Sequence, residues 1–581
     1  MIKPISYKIA SVFPIALISF MAMFIGLELY KPGLFLMHDD QHVARLFLFD
    51  QALKAGQFPV RWVDSLGFGF GYPLFIFYPP FVYMLGEIFH LIGFGFIDSI
   101  KIVFFMSIFL SGISMYILSK EIFGKLAGLT AAVAYLLVPY RAIDVYIRGA
   151  LAESFAFIWL PLILWSFYKI SKTRKALHIL LSSVFLALLV ITHNLIFLPF
   201  MIILPFYLLF LLLTSEKKYA TLIKFLFSLF LAACLSAFFW FPSLLEKKFT
   251  LVDNLLLKDL ADYKIHFVYL KQLWNWPWGF AGSAAGLSDG ISFKIGKLYI
   301  LVSTLSVFVS AFLLFKAKKI HFQVNKKIYL VLTLSSLLVF SAFMTTNYSS
   351  FIWNKLTFLA YLQFPWRFLI FTSLFSSALI GAFIAYIRPQ IVKIGFSSVI
   401  IILLLITNYK LFKPLYIRNL NDKEMTSNKI IEWDVSKSSF EYVPTGFPLE
   451  RDSRGINQPD LTEDDLPKQK AYIMSGDAQI TGLDTAPGKY FLKVKAKTNS
   501  ILRLNSFNFP GWMAKSDGQP VSIDEQNKYR LITISIPAGE HLIEAKFKST
   551  PVRKIANYTT LISLLTLIAL SFKKWLIPTR N

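Results

Sequence analysis

The sequence predicts a mainly α polytopic membrane protein, a bundle of roughly twelve spans followed by a β-sandwich and a final membrane helix. Three observations carry this. Of 581 residues, 56% are hydrophobic and only 16% charged, whereas a water-soluble domain carries about a quarter charged residues. A single large soluble enzyme and a disordered chain are thereby excluded. Apolar runs of about 20 residues, the length that crosses a bilayer, recur along the first 412 positions. The basic residues behind the net charge of +25 sit in short patches between those runs. That is the pattern of cytoplasmic loops, not of nucleic-acid binding.

The runs lie near 9–30, 73–93, 100–119, 126–140, 154–170, 176–192, 195–213, 222–243, 298–315, 328–346, 366–387, 394–412 and 556–572. The first follows Lys3 and Lys8 and lacks a small-residue cleavage site, so it reads as an uncleaved span. The basic clusters are Lys120/Lys125, Lys169/Lys172/Arg174/Lys175, Lys217/Lys218, Lys316/Lys318/Lys319/Lys326/Lys327, Arg388/Lys393 and Lys573/Lys574/Arg580. All of them fall on the cytoplasmic side, with both termini, if one early run does not cross. The run 73–93 is that candidate, because Gly71-Tyr72-Pro73 and Pro79-Pro80 break a helix and Glu87 and His90 are polar. The alternative lets 73–93 cross and another run stay out. The lone cysteine, Cys234, reads as a small hydrophobe inside an apolar run.

In this topology the segments 31–99, 141–153, 193–194, 244–297, 347–365 and 413–555 face outward, and they hold nearly all the unusual polar residues. In the first, Asp39 to Ala55 reads as an amphipathic helix with Asp39 or Asp40 as N-cap and Gly56 as the stop. Val43, Leu46, Phe47 and Leu53 form a face suited to a membrane surface. A carboxylate here could equally serve as a general base. Asp39, Asp40 and His42 could also hold a divalent ion, although three ligands this close rarely complete a site. The Gly, Pro and aromatic residues that follow, with Arg61-Trp62, favour a fixed irregular backbone, which near a bilayer must be covered by protein or line a cavity.

Arg141, Asp144, Arg148 and Glu153 are ionisable groups beside apolar runs, where each needs a partner. Arg148–Glu153 and Arg141–Asp144 pairs are one reading; arginines facing a cavity that holds an anion are the other. His193-Asn194 marks a tight turn, with capping and catalysis both open. Arg367, in Gln363-Phe364-Pro365-Trp366-Arg367-Phe368, opposes the positive-inside bias, and a phosphate held in its fork would account for it. Trp274, Trp276 and Trp278 suit sugar stacking or interface anchoring alike. After Lys413, turn signals at 486–488, 516–518 and 537–539 separate period-two strands. They predict an antiparallel sandwich over about 480–549 after a mixed segment 413–480. Three units result: 1–412 with outer loops 31–99 and 244–297, an extracytoplasmic 413–555, and 556–581.

The order His-Asp-Asp-Gln-His, Phe-Pro-Val-Arg-Trp, Gly-Phe-Gly-Tyr-Pro-Leu-Phe-Ile-Phe-Tyr-Pro-Pro, Arg-Gly-Ala-Leu-Ala-Glu, Thr-His-Asn and Gln-Phe-Pro-Trp-Arg-Phe resembles the bacterial family called "6-pyruvoyl-tetrahydropterin synthase-related, membrane domain". No zinc-binding histidine set accompanies it. The wider arrangement resembles the GT-C superfamily of integral membrane glycosyltransferases, with Pro510-Gly511-Trp512 and Pro537-Ala538-Gly539-Glu540-His541 similar to outer β-domains of related cell-envelope proteins. That resemblance implies a polyprenyl-phosphate-linked sugar as donor and a glycan, lipid or protein acceptor. It implies catalysis at Asp39 or Asp40 and substrate contacts from His38, His42, Arg61, Arg148, Glu153, His193 and Arg367. A transporter or flippase of lipid-linked glycans, or a non-catalytic envelope scaffold, are the competing classes.

Overall fold

A computed structural model describes residues 3–258, 262–316 and 326–576, with side chains described within 12–570. Lys318, Lys319 and Arg580 of the basic clusters lie outside these residues, as do the side chains of Lys3, Lys8, Lys573 and Lys574. The bundle is built from α1 (Lys3–Ile25), α2 (His42–Lys54), α3 (Phe81–Leu91), α4 (Phe96–Phe123), α5 (Lys125–Leu136), α6 (Leu151–Thr173), α7 (Ala176–Thr192), α8 (Asn194–Thr214), α9 (Lys218–Leu235) and α10 (Ala237–Glu246). It is completed by α11 (Lys297–Lys316), α12 (Lys326–Thr345), α13 (Leu369–Tyr386) and α14 (Gln390–Asn408). Among the described residues, nine helical stretches are long and apolar enough to cross a membrane, and Val12–Ile25, Phe81–Leu91 and Ala176–Thr192 are shorter apolar helices. This is a multi-pass membrane protein.

The basic ends of the helices meet at one end of the bundle. Lys169 pairs with Glu121 at 2.9 Å, and Lys224 donates to the Arg174 carbonyl at 2.8 Å. One of the expected runs differs, and the interrupted one keeps its breaks. The run 222–243 is broken at Ser236 into α9 and α10, where the Ser236 hydroxyl returns to the Ala232 carbonyl. A serine that bonds back into its own helix bends it. The run 73–93 is a short turn at Leu74–Phe77 and the 11-residue α3, separated by Tyr78-Pro79-Pro80. At 1.5 Å per residue α3 spans only about half a bilayer core.

The amphipathic reading of α2 needs correction. Its N-cap is Gln41, with no side-chain cap, so neither Asp39 nor Asp40 caps it. The helix is buried on almost every face and packs against α3, α4 and the turns at Asp422–Met425 and Lys429–Val435. It lies inside protein and not on an open membrane surface.

The first loop is covered by the C-terminal part of the chain. Strand β1 (Leu34–Phe35) pairs antiparallel with β2 (Ile417–Arg418). The sandwich comprises β3 (Ala471–Ser475), β4 (Ala478–Ala486), β5 (Lys489–Ala496), β6 (Ser500–Phe507), β7 (Trp512–Ser516), β8 (Gln519–Val521), β9 (Leu531–Ile536) and β10 (Gly539–Phe547). One sheet runs β8-β7-β10-β5-β4 and the other β9-β6-β3, all antiparallel. The sandwich therefore starts at Ala471, earlier than the alternation predicts, because β3 joins the edge of the second sheet. Alternate residues Tyr490, Leu492, Val494 and Ala496 fill the space between the sheets.

Trp62 joins loop to sandwich: it is fully buried, 5.5 Å from the Trp512 ring and 4.9 Å from Phe547. Helix α15 (Pro551–Leu576) then returns along α10 and α9. At its start, fully buried Arg553 pairs with Glu246 of α10 at 2.8 Å, donates to the Pro510 carbonyl at 2.7 Å and stacks over Phe547 at 4.7 Å. Gly511 has φ +117, and a Cβ there would strike the Lys548 carbonyl and the Arg553 guanidinium. The Pro-Gly-Trp motif is thus a backbone shaped to admit this arginine. Arg553→Met should leave Glu246 buried without its partner and cost about 3–5 kcal/mol. The check is thermal unfolding in detergent, read together with protease release of the sandwich.

Candidate active site

The site begins with two backbone segments side by side. The amides of His38 and Asp39 donate to the carbonyls of Ile147 and Arg148 at 3.0 and 2.8 Å. Gly149, at φ +66, lets this happen: a Cβ there would run into Met37. The chain just before it, Asp144–Arg148, winds as a single π-helical turn, a form that often marks functional positions. This turn directs Arg148 inward.

Among the described residues, the side-chain hydrogen bonds of Arg148 all run through Nη1, to Asp144 Oδ1 at 2.6 Å, Glu153 Oε2 at 2.9 Å and the Tyr140 hydroxyl at 3.5 Å. Its guanidinium lies 4.5 Å over the Trp366 ring. Glu153, fully buried in the first turn of α6, also accepts from the Tyr140 hydroxyl at 2.5 Å. Arg367 Nε lies 3.6 Å from Glu153 Oε2, and Arg367 Nη1 donates to the Leu362 carbonyl at 2.6 Å. Residues Thr357–Leu362 form a 3-10 turn and Gln363 takes φ +61, so the chain doubles back before Pro365 and turns Arg367 inward. His193 caps α8: its Nδ1 accepts the Ile196 amide at 3.1 Å. The ring proton is therefore on Nε2, 3.9 Å from Glu153 Oε2. Of the two pairings foreseen, Arg148–Glu153 forms, whereas Asp144 bonds Arg148 and Arg141 stacks 4.1 Å over Phe157.

These groups line one cavity of about 1290 Å³. Its polar end holds His38, Asp39, Arg148, Glu153, His193 and Arg367, and its apolar wall includes Leu186 and Val190 of α7, Leu198 and Met201 of α8 and Leu229 of α9. Asp39 is exposed, and its carboxylate makes no hydrogen bond among the described residues. It lies within electrostatic reach of both Arg148 and Arg367. His38 lines the cavity and its Nε2 bonds the Phe280 carbonyl at 2.9 Å, tying the second large outer loop to the first.

Three expected site residues lie elsewhere. Asp40 is off the cavity wall; burial pushes its carboxyl up, with Arg418 opposing. Arg61 reaches across to Asn557 Oδ1 at 2.7 Å and the Phe238 carbonyl at 3.2 Å, joining the first loop to α15 and α10. His42 is buried behind the wall, with Nδ1 2.9 Å from the Tyr83 hydroxyl and Nε2 2.7 Å from the Gly149 carbonyl. Asp39, Asp40 and His42 thus diverge, and among the described residues no group of three His, Cys, Asp or Glu could hold a metal ion. Trp276 donates to the Asp289 carbonyl at 3.0 Å and braces its own loop. Arg45, Lys247 and Glu441 also line the cavity and escape sequence reading. The one available signal is a charged Arg45 inside the apolar stretch 43–49 of α2.

No family model matches the chain, so the pterin-related resemblance gains no support, and no curated protein matches it. Among solved structures it is similar to the arabinofuranosyltransferase AftD from Mycobacteria (12% identity, 68% of this chain and 26% of that one, TM-score 0.40). It is also similar to the Archaeoglobus fulgidus oligosaccharyltransferase tethered with an acceptor peptide containing the NVT sequon (13%, 76% and 61%, 0.43). A third is ArnT from Cupriavidus metallidurans bound to undecaprenyl phosphate (10%, 67% and 62%, 0.35). The chain spans about a quarter of the first and less than two thirds of the others. The functional reading therefore rests on the cavity.

Burial, then nearby Arg45, holds the His42 imidazole down to about 4 from its ordinary 6.5. Between those values the unfolded chain takes up a proton that the folded one refuses. The His42 contribution is therefore complete above pH 6.5 and is lost as pH falls toward 4, by about 3 kcal/mol at most. Burial pushes Asp64 up to about 6, which acts in the opposite sense. The expected result is that acidification from pH 7 to 4.5 lowers the melting temperature more in the wild type than in His42→Gln, where only the first effect is removed.

Proposed function

We propose that this protein is an integral membrane glycosyltransferase that moves a sugar from a polyprenyl-phosphate carrier to an acceptor hydroxyl on the outer face of the membrane. One observation carries the reading. A single cavity joins an apolar wall from α7, α8 and α9 to a polar end with a solvent-facing carboxylate and two guanidinium groups. A prenyl chain fits the first and a phosphate the second. The extended unit 413–555 is extracytoplasmic in this reading, and its Ser438, Ser439, Glu441 and Tyr442 line the cavity. Residues 1–412 form the GT-C-like membrane unit and 556–581 the closing helix and cytoplasmic tail.

In the reaction, the acceptor oxygen attacks the sugar's anomeric carbon as the bond from that carbon to the phosphate oxygen breaks. The hydroxyl proton passes to Asp39, and the bonding pair leaves with the lipid phosphate. Arg367 and the free edge of Arg148 offset the charge gathering on that phosphate, in a setting where low dielectric strengthens each contact. Glu153 holds the guanidinium groups in place, with the His193 ring beside it, and neither touches the reacting atoms.

Reconstituted protein given labelled polyprenyl-phosphate sugar should form glycosylated product and not merely redistribute the lipid, as a flippase would. Asp39→Asn should cut transfer by about 10²–10⁴ with normal membrane insertion, and Asp40→Asn should stay near wild type. Transfer by Asp39→Asn at the wild-type rate would falsify the assignment.

A further inference from the structure

The cavity holds a third arginine that the reaction above does not use. Arg45, on α2, is 6% exposed and lines the same space as Asp39. Among the described residues it forms no ion pair within 4.0 Å of a carboxylate. Its Nη2 donates to Gln41 Oε1 and to Ser439 Oγ at 3.0 Å, while its Nε is buried with no hydrogen-bond partner. The guanidinium plane lies 4.2 Å over the Tyr78 ring. Cation–π stacking offsets part of its desolvation, and hydrogen bonds to neutral groups fix its direction. Neither supplies the opposite charge that a buried cation requires.

One acid in its surroundings is Glu441, reached through a relay, since Ser439 Oγ donates in turn to Glu441 Oε1 at a long 3.4 Å. Burial pushes the Glu441 carboxyl up, with a backbone hydrogen bond and Arg45 opposing, and no direct contact joins the two side chains among the described residues. Arg148, in contrast, carries two carboxylates of its own. Tyr78 lies within electrostatic reach of Arg45, Asp39 and Arg367 alike, so a group seated on Arg45 is close to the base.

We infer that Arg45 is an anion-binding residue for the acceptor, so that the acceptor is a sugar bearing a carboxylate or a phosphate, clamped between α2 and the segment around Ser439. This rests on the transferase reading above and names the chemistry of its second substrate.

The test uses the full-length protein in detergent and measures binding of glucose, glucuronate, glucose 6-phosphate and undecaprenyl phosphate by thermal shift and calorimetry. The wild type should bind at least one anionic sugar tenfold or more tightly than glucose, and the two anionic sugars tell carboxylate from phosphate. Arg45→Gln should lose that preference, Arg45→Lys should keep part of it, and Glu441→Gln should strengthen it severalfold. Undecaprenyl phosphate binding should not change in Arg45→Gln. Equal binding of glucose and both anionic sugars, or an intact preference in Arg45→Gln, overturns the inference. A matching loss of undecaprenyl phosphate binding in that variant also overturns it and assigns Arg45 to the carrier's phosphate. If Arg45→Gln does not fold, Glu441→Gln decides, and no gain in anion binding counts against the proposal. Absence of sugar transfer by the wild type, with the anion preference intact, overturns the transferase reading and leaves the anion site standing.

Discussion

The carboxylate of Glu153 is the point on which the site is assembled. It is fully buried in a membrane helix, and four donors from separate elements face it: Tyr140, Arg148, His193 and Arg367. A charge in that position is tolerated only if it is paired and hydrogen-bonded, and the same holds for each guanidinium. The need is mutual, so the turn at Asp144–Arg148, the α7–α8 junction and the turn before α13 are fixed relative to one another. Removing one member would leave the others buried with unbalanced charge, which typically costs more than a lost hydrogen bond. The arginines are thereby fixed in advance, and in the proposed reaction this is what makes such groups effective against developing charge.

The same economy explains the covering of the first loop. Its glycines and aromatics cannot form a helix, and irregular backbone beside a bilayer needs other protein around it. The C-terminal part supplies this cover atom by atom. The Phe507 amide donates to the Phe70 carbonyl at 2.7 Å, the Tyr442 amide to the Tyr72 hydroxyl at 2.8 Å, and the Gly488 amide to Asp64 Oδ1 at 3.0 Å. The sandwich is therefore part of the membrane unit's architecture. Arg61 and Arg553 anchor the assembly from opposite directions, one through Asn557 and one through Glu246.

Much of this was legible in the sequence because the relevant physics is local. Span length, basic loop ends, period-two strands and the prolines that interrupt 73–93 each act within a few residues. Arg148, Glu153, His193 and Arg367 could be suspected singly, since an ionisable group beside an apolar run needs a reason. The rest depends on partners far along the chain. Arg61 finds Asn557, and nothing near position 61 distinguishes a structural arginine from a substrate-binding one. His42 and Asp39 are three residues apart, yet one is sealed behind the wall and the other faces the cavity, because the pairing of residues 38–39 with 147–148 sets their direction. The break at Ser236 was hidden by an apolar sequence that continues on both sides.

In the proposed reaction, that pairing also decides which carboxylate does which work. Glu153 has a tyrosine and an arginine bonded to it and the Arg367 guanidinium close by, and it has no exposure. Its carboxylate bonds Arg148 and faces Arg367, so in the proposed reaction it orders the two guanidinium groups. Asp39 differs in its bonding and its exposure. Its backbone is fixed by the Arg148 carbonyl, while its side chain is exposed and bonded to nothing among the described residues. A group that must receive a proton needs reach and a free lone pair. A group that must organise cations needs the reverse, and one acid could not serve both demands at once. Two carboxylates separated by a single glycine-dependent crossing, at Gly149, meet them without conflict.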